Sequence, residues 1–466
     1  MDGKMNTECL KEDLYIDQIL AVEPHGIEPV KDAERHGHPF DGFTFWFAAN
    51  VVFANLTMGA LLVSLFGLSF KQSTVAIVIG TALGVALMAI LSTFGPKLGI
   101  PQLIQSRRAF GLVGNYFPAA MNWICGVGWF GVNTVLGAFA LDWLFHLGLA
   151  LSIIIMTIIC IIFAVYGYNM MHALQKVCSV ILTVVFIMVT YFALLHFNVA
   201  FPANTHAPYW STLLGGMILG IGTAFSYIMG WITYSSDYTR YLPKETSSSS
   251  VFWNIFLSNF ISIVWVEMLG AALATIHSIN VPTDLVTNLL PYTLAIFAML
   301  AVVLGTVTAN VPSIYSSALS IMAIDVAAIR RIFPYRWAAA LAMGILGGAL
   351  AFAGNSGYYS RFASFLLVMA YWIVPWVSVV VWDYLIVHRG QYGLSPFYGS
   401  RNKFYVGFWA WLIGIVVSIP FWNQSLYTGP FAAAHPNLGD LSNLVGFIVA
   451  GAIYLIFARQ VVNCDK

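Results

Sequence analysis

The chain has 466 residues, 60% of them hydrophobic and only 8% charged, against roughly 45–50% and 25% in an ordinary soluble protein. That composition excludes a soluble globular domain. Twenty Lys and Arg against nineteen Asp and Glu leave a formal charge of +1, so there is no basic field to hold nucleic acid and no acidic tail.

The first forty residues are polar and mixed in charge (Glu8, Lys11, Glu12, Asp13, Glu23, Lys31, Asp32). They lack the short apolar core and cleavage site of a secretory signal, and residues 1–40 read as a cytoplasmic segment. A helix needs about 20 apolar residues to cross a hydrocarbon core. Twelve such stretches follow, beginning near Phe43, Ser73, Gly114, Gly148, His172, Ser211, Val251, Tyr292, Trp337, Ser360, Lys403 and Leu441. Runs this long in lipid must be helices, because no water is present to satisfy the backbone. The class is an all-α polytopic membrane protein. Eighteen of the twenty Lys and Arg fall on one side of these spans, and only Lys71 and Arg361 on the other. That bias puts both termini in the cytoplasm. Spans 1 to 10 occupy residues 41–390, and spans 11 and 12 with the tail occupy 391–466. Cys9, Cys125, Cys160, Cys178 and Cys464 are scattered without a C-x-x-C pair, so neither a disulfide framework nor a metal site is expected, and no cofactor.

Transporter sites are often built from interrupted helices whose trace is Gly, Pro or small polar residues inside an apolar span. Spans 1, 6 and 8 carry that trace. Span 1 has Asn50 and Asn55 near its middle, which either bond helix to helix or face a polar interior. Span 6 has Gly215, Gly216, Gly220, Gly222 and Gly230 and ends in Gly230-Trp231-Ile232-Thr233-Tyr234-Ser235-Ser236-Asp237. Its glycines fit close packing, and Gly230 directly before Trp231 reads as an unwound segment beside a flat ligand. Spans 1 and 6 are five apart, the placement expected of two inverted five-helix repeats with a site between them. Span 8 has Thr306, Thr308, Asn310, Pro312 and Ser313. There a proline frees a carbonyl that neighbouring hydroxyls or an ion can satisfy.

In span 3, Trp129 and Asn133 are i and i+4 and share one helix face. An aromatic plate beside an amide suits a planar heterocycle, and equally suits ordinary packing. Glu267 is the one carboxylate well inside a span, either a proton carrier or a structural hydrogen-bonding group.

The joint from Gly95 through Pro96, Pro101, Gln105, Arg107 and Arg108 to Gly111 resembles the loop between helices 2 and 3 of the nucleobase:cation symporter-1 family. The Trp129-Phe130-Gly131-Val132-Asn133 run and the run from Gly230 to Pro243 are similar to its purine-cytosine permease branch. The resemblance covers the whole transmembrane region. It implies a LeuT-type fold, ten helices in two inverted repeats plus two more, importing a nucleobase such as cytosine or a purine across the cytoplasmic membrane with H+ or Na+. It places the stacking aromatics on Trp129 and Trp231, the helix 3 amide on Asn133, and the helix 1 contact near Ala54 or Asn55. The helix 8 position that commonly holds Asn falls on Ser313, with Asn310 a turn back. The two adjacent hydroxyls of the family's sodium site fall on Val307 and Thr308. One hydroxyl is lost, which favours the proton, with Glu267 a candidate carrier. Ser313 keeps other planar substrates open: a hydroxymethylpyrimidine, allantoin or a hydantoin, or creatinine.

An enzyme in the membrane needs acids, His or Cys within reach of one another, and the histidines fall mainly in joints and span ends (His36, His38, His146, His388 among them). A passive channel needs a repeated pore motif or a charged ring, and the sequence has neither.

Overall fold

The computed structural model describes residues 26–166, 168–199, 212–276, 281–333, 335–354, 357–392, 395–398 and 404–462. Cys9 and Cys464, and Lys4, Lys11, Arg401, Lys403 and Lys466 of the cation count, lie outside the described residues. Among the described residues the regular structure is helical apart from one short hairpin, Asn423–Gln424 against Tyr427–Thr428. The main helices are α1a (Pro39–Asn50), α1b (Phe53–Ser64), α2 (Phe70–Ser92), α3 (Arg107–Phe145), α4 (Leu149–Tyr166), α5 (Tyr168–His196) and α6a (Leu213–Ile232). They continue with α6b (Ser235–Thr239), α7 (Ser248–Leu273), α8 (Tyr292–Met322), α9 (Arg336–Gly354), α10 (Tyr358–Trp382), α11 (Val406–Ser418) and α12 (Ser442–Val462). Eight helices are long and apolar enough to cross a membrane, and α1a with α1b makes one broken span. Three shorter apolar stretches, Leu149–Ala164, Val406–Phe421 and Ser442–Ala458, complete the set among the described residues. All fall in the stretches that the sequence assigns to spans.

Packing separates the helices into two groups. α2 packs on α6a and α7, and α7 on α1a and α1b, while α3 packs on α8 and α9, with α4 against α8 and α9. α5 joins the groups by touching α8 and α1a, and α10 touches α6a, α11 and α12. Contact within the first group reaches backbone on backbone. A Cβ at Gly59 would lie 1.7 Å from the Glu267 carbonyl oxygen, and one at Gly270 would lie 1.8 Å from that of Leu56. Only glycine allows α1b and α7 to meet this closely.

The break in span 1 is local chemistry. Val51 (ψ 66) and Val52 (φ −135, ψ 160) leave helical geometry, and the two halves meet at 55°. The Asn55 amide donates to the freed Asn50 carbonyl at 2.6 Å. The Asn50 amide donates to Trp46 O and to Asn259 Oδ1 of α7, both at 2.8 Å. In span 6 the structure corrects the expected interruption. The helix runs unbroken through Gly230 and Trp231 and ends at Ile232, with the break at Thr233 and Tyr234. Span 8 runs as one helix through Pro312.

At the end of the bundle that carries most of the cations, residues 26 to 36 lie across the helix ends. Arg240 donates to Gly26 O at 3.0 Å, Arg35 to Pro96 O at 2.7 Å, and the His36 N–H to Tyr241 O at 2.7 Å.

Candidate functional site

Trp129 sits in α3 facing α6a and α10. Its indole is 6% exposed, and Nε1 points at Met369 Sδ, 3.1 Å away. Tyr227, Phe365 and Phe362 meet it edge-on, at ring separations of 5.3, 5.4 and 6.1 Å, the preferred arrangement for aromatic quadrupoles. Gly230 is the floor under this ring: a Cβ there would come within 2.4 Å of Trp129 Nε1. The glycine is therefore a place of close approach rather than a point of unwinding. Trp231, next in α6a, turns to α1a instead. Its ring lies 5.4 Å from that of Trp46 and 6.2 Å from that of Tyr234.

One helical turn from Trp129, Asn133 donates to Asn310 Oδ1 at 3.1 Å, and Asn310 donates to Thr134 Oγ1 at 3.1 Å. Thr306 adds a longer contact to the Asn133 carbonyl at 3.4 Å. This polar knot is one buried link between α3 and α8, and Asn122 donating to Ser320 at 2.7 Å is another. Ser313 turns to its own helix, donating to Ala309 O at 3.0 Å, and Thr308 Oγ1 likewise donates to Gly305 O at 2.9 Å. The structure thus brings Trp129 against Gly230, and Asn133 against Asn310. Asn55, Ser313 and Thr308 direct their donors to backbone carbonyls, and Trp231 packs on α1a.

Below this level α6b and α8 are joined by hydroxyls. Tyr234 and Ser317 pair at 2.9 Å, Tyr238 donates to Pro312 O at 3.1 Å, and Ser316 donates to Tyr238 at 3.0 Å. Arg240 reaches Tyr315 Oη at 3.3 Å, and the Gln102 N–H donates to Asp237 Oδ1 at 2.9 Å. The spacing of Tyr234, Tyr238 and Tyr241 along one face was available as a signal, and sequence reasoning passed over it. Gln175, Met369 and Asn259 were also missed. They lie far along the chain from their partners, and no local pattern marks them.

Four carboxylates are buried among the described residues, and the three besides Asp237 differ in their surroundings. Asp383 accepts from Tyr454 Oη at 2.5 Å and from Tyr392, with His388 Nδ1 at 3.0 Å. Asp440 accepts from Tyr371 Oη at 2.6 Å, from the N–H groups of Asn423 at 2.8 Å and Ser442 at 2.9 Å, and from the Ser442 hydroxyl. Burial pushes the Asp440 carboxyl above the usual carboxylate range, and these donors pull it part of the way back. Glu267, wholly buried in α7, has no hydrogen-bond partner on either oxygen among the described residues.

A mostly buried helical bundle with a broken first span, a second break after Ile232, an aromatic contact between its two groups of helices and an amide knot inside the second group has the build of a membrane transporter. The comparisons name the family. Residues 29–446 match the family described as "Permease for cytosine/purines, uracil, thiamine, allantoin", and the chain belongs to it. It is an integral membrane permease, not an enzyme. YxlA of Bacillus subtilis (strain 168) is 29% identical over 450 residues, covering 94% of this chain and 96% of that protein. The purine-cytosine permease fcyB of Emericella nidulans is 27% identical over 460 residues, covering 94% and 88%. Among solved structures, the nucleobase-cation-symport-1 family transporter MHP1, closed with bromovinylhydantoin bound, superposes with a TM-score of 0.77 at 19% identity, covering 96% of this chain and 97% of that one. The fold is the LeuT type that the sequence resemblance implies.

Proposed function

We propose that the chain imports cytosine or a purine across the cytoplasmic membrane together with a proton, with both termini in the cytoplasm and residues 41–390 forming the two-repeat core. The carrying observation is the Trp129 ring seated on Gly230 one turn from the Asn133 and Asn310 pair. A planar base would use the indole as its stacking face and the two amides, which both donate and accept, to read its polar edge. Trp231, on the α1a side, and Asn55 and Ser313, bonded to backbone carbonyls, are the further binding residues of this reading. The cation-rich joints mark the cytoplasmic end.

Glu267 is the proton carrier in this reading, as the buried carboxyl inside a span that no hydrogen bond ties to a neighbour among the described residues. Thr308 offers one hydroxyl where a sodium site would want more oxygens, so Na+ is the second choice of ion. Joint binding of ion and base favours the occluded state, and each raises the affinity of the other.

The test is uptake of labelled cytosine into liposomes under an imposed pH gradient and then an imposed Na+ gradient, with purines, hydantoin, allantoin and creatinine as competitors. Uptake driven by pH and blocked by purines is the expected result. Competition by hydantoin or creatinine but not purines would move the substrate to another small planar heterocycle, and a response to Na+ alone would move the ion.

A further inference from the structure

Pro312 stands in the middle of α8 and carries no N–H, so the Thr308 carbonyl one turn earlier loses its helical donor. The structure fills that gap from another helix: Gln175 Nε2 of α5 donates to Thr308 O at 2.6 Å. Gln175 is buried, and its Oε1 has no partner among the described residues. Of the two halves of this amide only the donor is used, which points to the carbonyl of α8 as the reason the side chain is there.

The turn so held is crowded with contacts that matter to the site. Asn310, two residues after Thr308, is the acceptor for Asn133 of α3. The Pro312 carbonyl is the acceptor for Tyr238 of α6b. Gly305, one turn before Thr308, lies against Val52 at the break of span 1 and Leu182 of α5, each about 3.6 Å from where a Cβ would stand. The opened turn of α8 is therefore fixed from α3, α5 and α6b at the level of the broken helix.

We propose that Gln175 is a positioning residue for the binding site: it replaces the backbone donor that Pro312 lacks and thereby holds the α8 turn that presents Asn310 to Asn133. The inference rests on the preceding reading only in taking this turn as part of the substrate site. The geometry it asserts can be tested without any substrate.

The same logic supplies a rescue. In Gln175→Ala the Thr308 carbonyl is left without a donor. In Gln175→Ala combined with Pro312→Ala, residue 312 regains an N–H that can reach that carbonyl within the helix, and the need for Gln175 disappears. The first arm places Asn133→Cys and Asn310→Cys on a background with the native cysteines replaced. It follows the rate of cross-linking by a short bifunctional thiol reagent. The expected result is a rate about tenfold lower with Gln175→Ala, the scale of one ordinary buried hydrogen bond, and recovery when Pro312→Ala is added. The second arm keeps both asparagines and measures cytosine uptake in liposomes. KM should rise about tenfold in Gln175→Ala, with the maximal rate per folded molecule nearly kept, and return in the double variant. A purely structural role would lower the yield and melting temperature, leave KM alone and show no rescue. An unchanged cross-linking rate in Gln175→Ala, or a double variant that recovers neither rate nor KM, would overturn the proposal. If the unmodified protein takes up no cytosine, the substrate reading fails and the cross-linking arm still decides the role of Gln175.

Discussion

Asp383 lies at the end of α10 and Asp440 just before α12, whereas Glu267 lies in α7; all three are buried. The first two are ringed by tyrosine hydroxyls, a histidine, serine and backbone N–H groups, and the third meets no donor among the described residues. Burying a carboxylate is costly unless it is paired or hydrogen-bonded, so a full ring of donors marks a group held in place. A carboxyl without such donors is tied to no partner. The contrast separates carboxylates that hold helices from one that can take part in a cycle, and residue type alone does not make that distinction.

The largest expected effect breaks this contrast directly. Glu267→Gln should abolish accumulation of cytosine against its gradient under an imposed pH difference, while exchange of internal for external cytosine continues, because the amide keeps the shape and cannot carry the proton. Asp383→Asn should do the reverse. Accumulation per folded molecule stays near normal, and stability to thermal unfolding in detergent falls by about 1–3 kcal/mol for each buried hydrogen bond lost. Normal accumulation by Glu267→Gln would assign coupling to another group.

Next in size is the aromatic plate. Trp129→Ala should weaken cytosine binding by about 1–3 kcal/mol, roughly tenfold to hundredfold, with Trp129→Phe intermediate. Gly230→Ala should act on the same contact from the opposite side, since its methyl would stand 2.4 Å from the indole nitrogen. Isothermal titration of the purified variants checks both, and a Gly230→Ala protein that binds normally would show that the ring can move aside without loss.

The third is a cycle across the amide pair. Asn133→Ala and Asn310→Ala each remove a buried partner of the other, so each should cost about 1–3 kcal/mol in cytosine affinity. The double variant should cost clearly less than the sum, because residues sharing one network couple. Strict additivity would show that the pair does not act as a unit.

How much of this was legible in the sequence differs between spans. Their positions follow from apolar length, which lipid makes decisive, and the structure puts helices in those stretches. The break of span 1 was marked by Asn50 and Asn55, although that Asn55 caps the freed carbonyl is known only once the angle of the break is seen. Gly230 misled for a physical reason. A glycine that admits a neighbouring indole and a glycine that ends a helix look alike in one dimension, and the helix runs on because an apolar interior offers its backbone no other partner. Pro312 likewise suggested an interruption, and α8 continues through it because Gln175, 133 residues before Thr308 in the chain, provides the missing donor. Contacts of that span leave no periodic trace.

The smallest effect concerns the carboxylate whose donors do not fully offset its burial. The Asp440 carboxyl titrates above the unfolded value of about 4, so between those two points the folded protein binds the proton more tightly than the unfolded chain. Stability contributed by this group is then present at the acid side and lost as pH rises through the window, at most about 1.4 kcal/mol per pH unit. Asp440→Asn removes the titration and keeps one acceptor for the Asn423 and Ser442 donors. Melting temperatures of the two proteins, taken in detergent across that range, should therefore draw together as pH rises, with the wild type ahead at the acid end. A gap that widens instead would mean that the ring of donors outweighs burial at Asp440.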